Sequence, residues 1–129
     1  MHKKRIGTVI KGLGMGKEFG FPTINIDLID SDLQIPNGVY AVLLTLCKDS
    51  ECENFPYKGM LYVGTRPTLG LQKITIEIHV FDFNEDVYEQ QISFQILHKI
   101  RDEIRFESVE KLIKQLHQDK KMVYEYFDG

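Results

Sequence analysis

Residues 73–81 read KITIEIHVF and alternate without a break. Ile74, Ile76, Ile78 and Val80 fall on one side of an extended chain, and Lys73, Thr75, Glu77, His79 and Phe81 on the other. A period of two sustained this long belongs to a strand with one apolar face, and it commits the chain to a sheet. Other segments obey the same rule. Residues 5–10 alternate loosely, residues 23–27 set Ile24 and Ile26 opposite Thr23 and Asn25, and residues 87–97 hold Ile92, Phe94 and Ile96 in step. Residues 38–46 (GVYAVLLTL) are almost continuously apolar, which suits a strand buried on both faces. Residues 59–63 read as one more strand.

Turn chemistry separates these runs. Ile35-Pro36-Asn37-Gly38 is a strong turn signal, and the polar residues 82–86 form another. Residues 48–56 are expected to be an exposed hairpin connection and residues 64–70 (GTRPTLG) a loop. From Ser108 the period changes: Val109, Leu112, Ile113, Leu116, Val123 and Phe127 recur at helical spacing behind Ser108 as N-cap, with Lys120 interrupting the stripe. About six strands with tight turns, then one helix, predict a mainly β fold, a small antiparallel barrel with a C-terminal helix laid against it. The expectation is a single domain over residues 1–129.

Composition bounds the function. At 43% hydrophobic and 27% charged, 129 residues can bury a core without metal or disulfide staples. The chain shows no run of about 18 apolar residues and no basic-then-apolar leader, so a cytoplasmic protein with no membrane partner is expected. A formal charge of −3 weighs against a nucleic-acid partner, which would want a basic face. Cys47 and Cys52 are the two cysteines and the four histidines are scattered, which gives no metal-ligand spacing. Two free thiols are expected, with a hairpin disulfide as the alternative.

The chemistry concentrates in residues 11–27, KGLGMGKEFGFPTINID. Gly12, Gly14, Gly16 and Gly20, with Lys17 among them, suit a loop whose backbone N–H groups cradle a phosphate. Beyond Pro22, Thr23 and Asn25 stand on one strand face roughly 7 Å apart, and both offer oxygen to a hard cation. The segment is neither a Walker A loop nor a dinucleotide fingerprint, because Glu18 stands where Ser or Thr should be and Lys17 where a third glycine should be. A glycine-rich turn feeding a half-exposed strand is the plain alternative. Glu77 is the carboxylate singled out on the polar face of residues 73–81, against the alternative of a solvated strand face. Residues 99–106 (KIRDEIRF) mix Arg101, Asp102, Glu103 and Arg105, which by themselves read as a surface ion-pair cluster.

Five blocks follow in order: GKEFGFPTINI at 16–26, NGVY at 37–40, YVGTRPT at 62–68, TIEIHVFDF at 75–83 and IRDEIRFES at 100–108. Over residues 7–126 they resemble riboflavin kinase, both the stand-alone enzyme and the C-terminal module of bacterial bifunctional FAD synthetases. The resemblance implies a six-stranded Greek-key barrel with a C-terminal helix, transferring the γ-phosphoryl of ATP to the 5′-hydroxyl of riboflavin to give FMN and ADP. It implies that Pro22-Thr23-Ile24-Asn25 holds Mg²⁺ or another divalent cation and the phosphates, with Thr23 and Asn25 as metal ligands. Glu77 is then the catalytic base. Gly12, Gly14, Gly16, Lys17 and Gly20 form a flap over the nucleotide, and residues 99–106, with Arg101, Glu103 and Phe106, help enclose the flavin.

Two residues depart from the pattern. Lys17 stands where many relatives carry Arg, and Glu89 where the family usually has Gly, so that turn must avoid φ > 0 or bear strain. No nucleotidyltransferase half is present, which leaves a complete kinase and a module of a longer enzyme both open, and leaves room for a separate FMN adenylyltransferase. A monomer is expected. The competing readings are a flavin-binding or regulatory module that no longer turns over and, on weaker grounds, an RNA-binding barrel.

Overall fold

The computed structural model describes residues 4–11, 20–28, 35–48, 51–52, 56–68, 71–83 and 85–128. Its elements are β1 (Lys4–Ile10), β2 (Ile24–Leu28), β3 (Gly38–Lys48), β4 (Glu51–Cys52), β5 (Tyr57–Thr68), β6 (Leu71–Val80), β7 (Gln91–Asp102) and the helix α1 (Val109–Asp128). Every strand pairing is antiparallel, in the order β4-β3-β5-β6-β2-β1-β7, and a further β3–β7 ladder joins the ends. Setting aside the two-residue β4, this is a closed six-stranded barrel. β2 to β3 and β6 to β7 cross between strands that are not neighbours, which makes the connections Greek-key.

Closure follows from the alternation. Tyr40, Val42, Leu44 and Leu46 of β3 point inward with Leu61, Val63, Ile76, Ile78, Ile92 and Phe94 to fill the barrel. Each such side chain contributes about 1.5–3 kcal/mol on burial. The other face of β3, Val39 and Ala41, packs with Met60, Phe81 and Phe21 beneath Leu116 and Val123 of α1. The run is therefore buried on both faces over residues 38–42, whereas Leu43 and Thr45 farther along the outer face are only half-buried. Ser108 caps α1, its Oγ accepting a hydrogen bond from the Lys111 backbone N–H at 3.2 Å.

The structure revises several boundaries. Residues 64–68, expected as a loop, continue β5, paired from Gly64↔Thr75 to Thr68↔Leu71. The β3–β5 ladder ends at Gly38↔Val63, so among the described residues no strand pairs Pro67 on that side, and its missing N–H costs no ladder bond there. Residues 99–102, expected in a loop, are strand: two register slips, between Val39/Tyr40 and Ala41/Val42, let the β3–β7 ladder run on to Gly38↔Asp102. Such bulges bend a strand and re-aim its side chains. Here they leave Arg101 opposite Val39, on the α1 side.

Three side-chain expectations also change. Cys47 is disulfide-bonded rather than free, and it stands in register with Cys52 across the β3–β4 hairpin. Residues directly opposed on antiparallel strands bring their Cβ atoms within about 4.5–5.5 Å. Lys120, expected to interrupt the apolar stripe, packs against the core instead. Its Nζ lies 5.8 Å, 5.6 Å and 6.0 Å from the ring centres of Phe21, Phe81 and Tyr124, so the stem packs while the cation meets aromatic faces. Val109, counted in the apolar stripe, is exposed.

Candidate active site

The register of β6 assembles the site. Glu77 lies between Asn25 of β2 and Tyr62 of β5, both directly opposite it in their ladders. Thr23, two residues before Asn25, shares its face, and its Oγ1 donates to Glu77 Oε1 across 3.5 Å. Thr23, Asn25 and Glu77 are each half-buried. Three oxygen-bearing side chains, from β6, β2 and the residue just before β2, thus come together on the outer wall of the barrel.

Their donor set fits a hard divalent cation. Mg²⁺ is held by one or two protein oxygens with substrate phosphates and water rather than by an all-protein cage. The described residues offer no cluster of three or more His, Cys, Asp or Glu that would form such a cage. A hydroxyl and an amide beside a carboxylate match the first arrangement.

Two cavities approach this point. One, about 240 Å³, is lined by Glu77, Tyr62, Arg101, Glu103, Phe106 and Leu116 among others, between the outer face of β6 and α1. The other, about 390 Å³, is lined by Pro22, Thr23, Ile24, Phe83, Glu85 and Asp86 among others, at the barrel rim. They share no lining residue, and the Thr23–Glu77 contact bridges them.

The wall of the first cavity is organised by an ion pair. Arg101 donates from Nε and Nη2 to the two carboxylate oxygens of Asp119, each at 2.8 Å, and from Nη1 to the Asp102 carbonyl at 3.0 Å. Gln115 Nε2 adds a third bond to Asp119 at 2.9 Å. Three of the five guanidinium N–H donors are thereby engaged within the protein. Arg101 is therefore first a strut between β7 and α1, with its face toward Phe106, whose ring centre lies 5.8 Å from the guanidinium carbon. Glu103 and Phe106 line the same cavity. Burial, reinforced by the Asp119 charge, pushes the Tyr62 phenol far above its ordinary value, so Tyr62 offers a neutral hydroxyl there at any working pH. A side chain at Gly38, another lining residue, would meet the Arg101 carbonyl, which is why this position excludes a Cβ.

Of the residues singled out from sequence, Pro22, Thr23, Asn25 and Glu77 come together, and Arg101, Glu103 and Phe106 share the neighbouring cavity. Gly20 takes a left-handed conformation, φ 82°, at the exit of the glycine segment. Gly12, Gly14, Gly16 and Lys17 lie outside the described residues. Tyr62 and Asp119 were missed. Asp119 had a signal: it falls in the 112, 116, 123 stripe, where a carboxylate is tolerated only with a partner.

A model of the flavokinase family, described as riboflavin kinase, matches residues 2–127. The chain is 42% identical over 124 residues to the RNA-binding riboflavin kinase RibR of Bacillus subtilis, covering 95% of this chain and 50% of that one. It is 35% identical to the bifunctional riboflavin kinase/FMN adenylyltransferase of the same organism, covering 95% of this chain and 38% of that one. The chain thus spans half or less of these relatives. Riboflavin kinase from Trypanosoma brucei shares the fold at a TM-score of 0.71 and 25% identity, over 97% of this chain and 79% of that one. With that fold, and a family match running nearly end to end, the chain belongs to the riboflavin kinase family.

Proposed function

We propose that this chain is an ATP-dependent riboflavin kinase, transferring the γ-phosphoryl of ATP to the 5′-hydroxyl of riboflavin to give FMN and ADP. The observation that carries the reading is the Thr23–Glu77 contact, whose two members line two separate cavities. Phosphoryl transfer requires donor and acceptor to be held in line from opposite sides of one point, and asks little covalent chemistry of the protein. The cavity of Glu77, Tyr62 and Phe106 has the mixed aromatic and polar wall that a flavin acceptor wants. The rim cavity beside Thr23 is where a nucleotide would enter.

Each residue then has a task. Glu77 accepts the proton of the attacking hydroxyl, which is within the reach of a carboxylate lining the acceptor cavity. Thr23 and Asn25 would hold a divalent cation, which when bound supplies charge neutralisation for the phosphates. Phe106, backed by Arg101, offers its ring to the acceptor.

The test is to incubate pure protein with riboflavin, ATP and Mg²⁺ and to resolve the flavins by chromatography. FMN with stoichiometric ADP is expected, and no FAD. Flavin binding without FMN would favour the non-catalytic module, and FAD would add an adenylyltransferase that this reading does not contain.

A further inference from the structure

One buried imidazole has no task in the scheme above. His79 is 6% exposed, and its Nδ1 lies 2.8 Å from the carbonyl oxygen of Pro22. A carbonyl only accepts, so Nδ1 carries the proton and Nε2 is the bare nitrogen. Nε2 is one of two buried side-chain atoms without a hydrogen-bond partner among the described residues. Leaving Nε2 buried and unpartnered costs free energy, and the Nδ1 bond to Pro22 is the hydrogen bond among the described residues that offsets it.

That bond sits where the ladder stops. The β2–β6 pairing runs from Asn25↔Glu77 to Ile24↔Ile78 and goes no further toward Pro22. Pro22 has no N–H to continue it. The His79 ring, from β6, holds the Pro22 carbonyl just past the last ladder pair, one residue before Thr23. On the same face of β6, two residues away, Glu77 meets the Thr23 hydroxyl. The ring is itself fixed edge-on to Phe21 and Phe81, with centroids 5.4 Å and 5.7 Å away, and Phe21 is packed in turn against His117. The turn that carries Thr23 is therefore pinned at both of its residues by side chains of one strand.

We propose that His79 is a positioning residue, whose Nδ1–H holds the Pro22 carbonyl and so sets the Thr23 hydroxyl against Glu77. The inference rests on the reading above, in which Thr23 serves the metal–nucleotide complex. A displacement of about 1 Å at such a ligand is enough for losses on the order of a hundredfold.

Substitution by geometry tests it, because an asparagine amide nitrogen can stand where Nδ1 stands and a glutamine amide nitrogen can stand only where Nε2 does. In the full chain, His79→Asn is expected to keep MgADP affinity by calorimetry within about threefold of wild type, while His79→Gln and His79→Leu lose roughly ten- to a hundredfold, with kcat falling alongside. Equal loss in Asn and Gln variants, or full affinity in the Leu variant, overturns the proposal. Thr23→Ala separates the two claims: unchanged MgADP affinity there sinks the Thr23 reading itself. Should a variant fail to fold, long-range ¹⁵N NMR of the wild-type imidazole decides. An Nδ1–H tautomer supports the proposal and an Nε2–H tautomer refutes it.

Discussion

Arg101 on β7 and Asp119 on α1 share two hydrogen bonds of 2.8 Å, and the Asp119 carboxylate is wholly buried. This pair, rather than apolar contact alone, fixes the helix over the cavity that Glu77 faces. Removing one partner strands the other, so Asp119→Ala is expected to cost about 3–5 kcal/mol in urea unfolding. The double variant Arg101→Met with Asp119→Leu recovers most of that loss, since paired apolar groups need no counter-charge. It is still expected to raise KM for riboflavin, because Phe106 loses the guanidinium behind it. Unchanged KM in the double variant would show that the pair serves stability only.

Glu77→Gln is expected to lower kcat by about 10²- to 10⁴-fold while leaving ligand affinity and the unfolding midpoint near wild type. The amide is isosteric, and Glu77 faces away from the Ile76, Ile78 and Val80 side of β6 that fills the barrel. Retention of more than about a tenth of the wild-type rate would remove Glu77 as base.

Glu89→Gly is expected to stabilise the chain. Glu89 takes φ 70°, so the turn keeps the left-handed conformation with a side chain that disfavours it. Its backbone N–H donates to the Val9 carbonyl at 2.9 Å, a bond that glycine keeps. Relief of the strain, less the entropy glycine adds to the unfolded chain, gives about 0.5–1 kcal/mol. Calorimetry would read this as a Tm higher by a few degrees, about 2–4 °C at most, and a lower Tm would contradict it.

Acid should act through His79. Burial lowers its proton affinity below the ordinary value of 6.5, and the nearby Lys120 charge lowers it further, while the Pro22 bond opposes both. The unfolded chain then takes up the proton first as pH falls. The stability that His79 contributes is full above about pH 6.5 and is lost as pH drops through the lower folded value. Wild type is expected to lose stability more steeply than His79→Asn, whose amide does not titrate, as pH falls below about 6.5 and on through the lower folded value. Parallel curves would show that other groups govern the acid limb.

Much of the barrel was legible in residues 73–81 and 38–46, because side-chain direction along a strand depends only on local geometry. Ile76, Ile78 and Val80 had to share a face, and so did Thr23 and Asn25, whatever the fold. The helix was equally plain from its period and from Ser108. The five sequence blocks added the family, and with it the expectation for Glu77.

What only the tertiary structure decided is who stands beside whom. Thr23 and Glu77 are 54 positions apart and meet because β2 and β6 are neighbours in the ring, a fact of strand order that no local period carries. The bulges that turn Arg101 toward Asp119 depend on β3 and β7 closing the barrel, and the 64–68 extension of β5 depends on its pairing with β6. His79 looked like a polar residue on a solvated face until Phe21 and α1 covered it. Local sterics write the faces of a strand, whereas registers, covers and buried charge pairs are set by the free energy of the whole closed barrel, in which each ladder constrains the next.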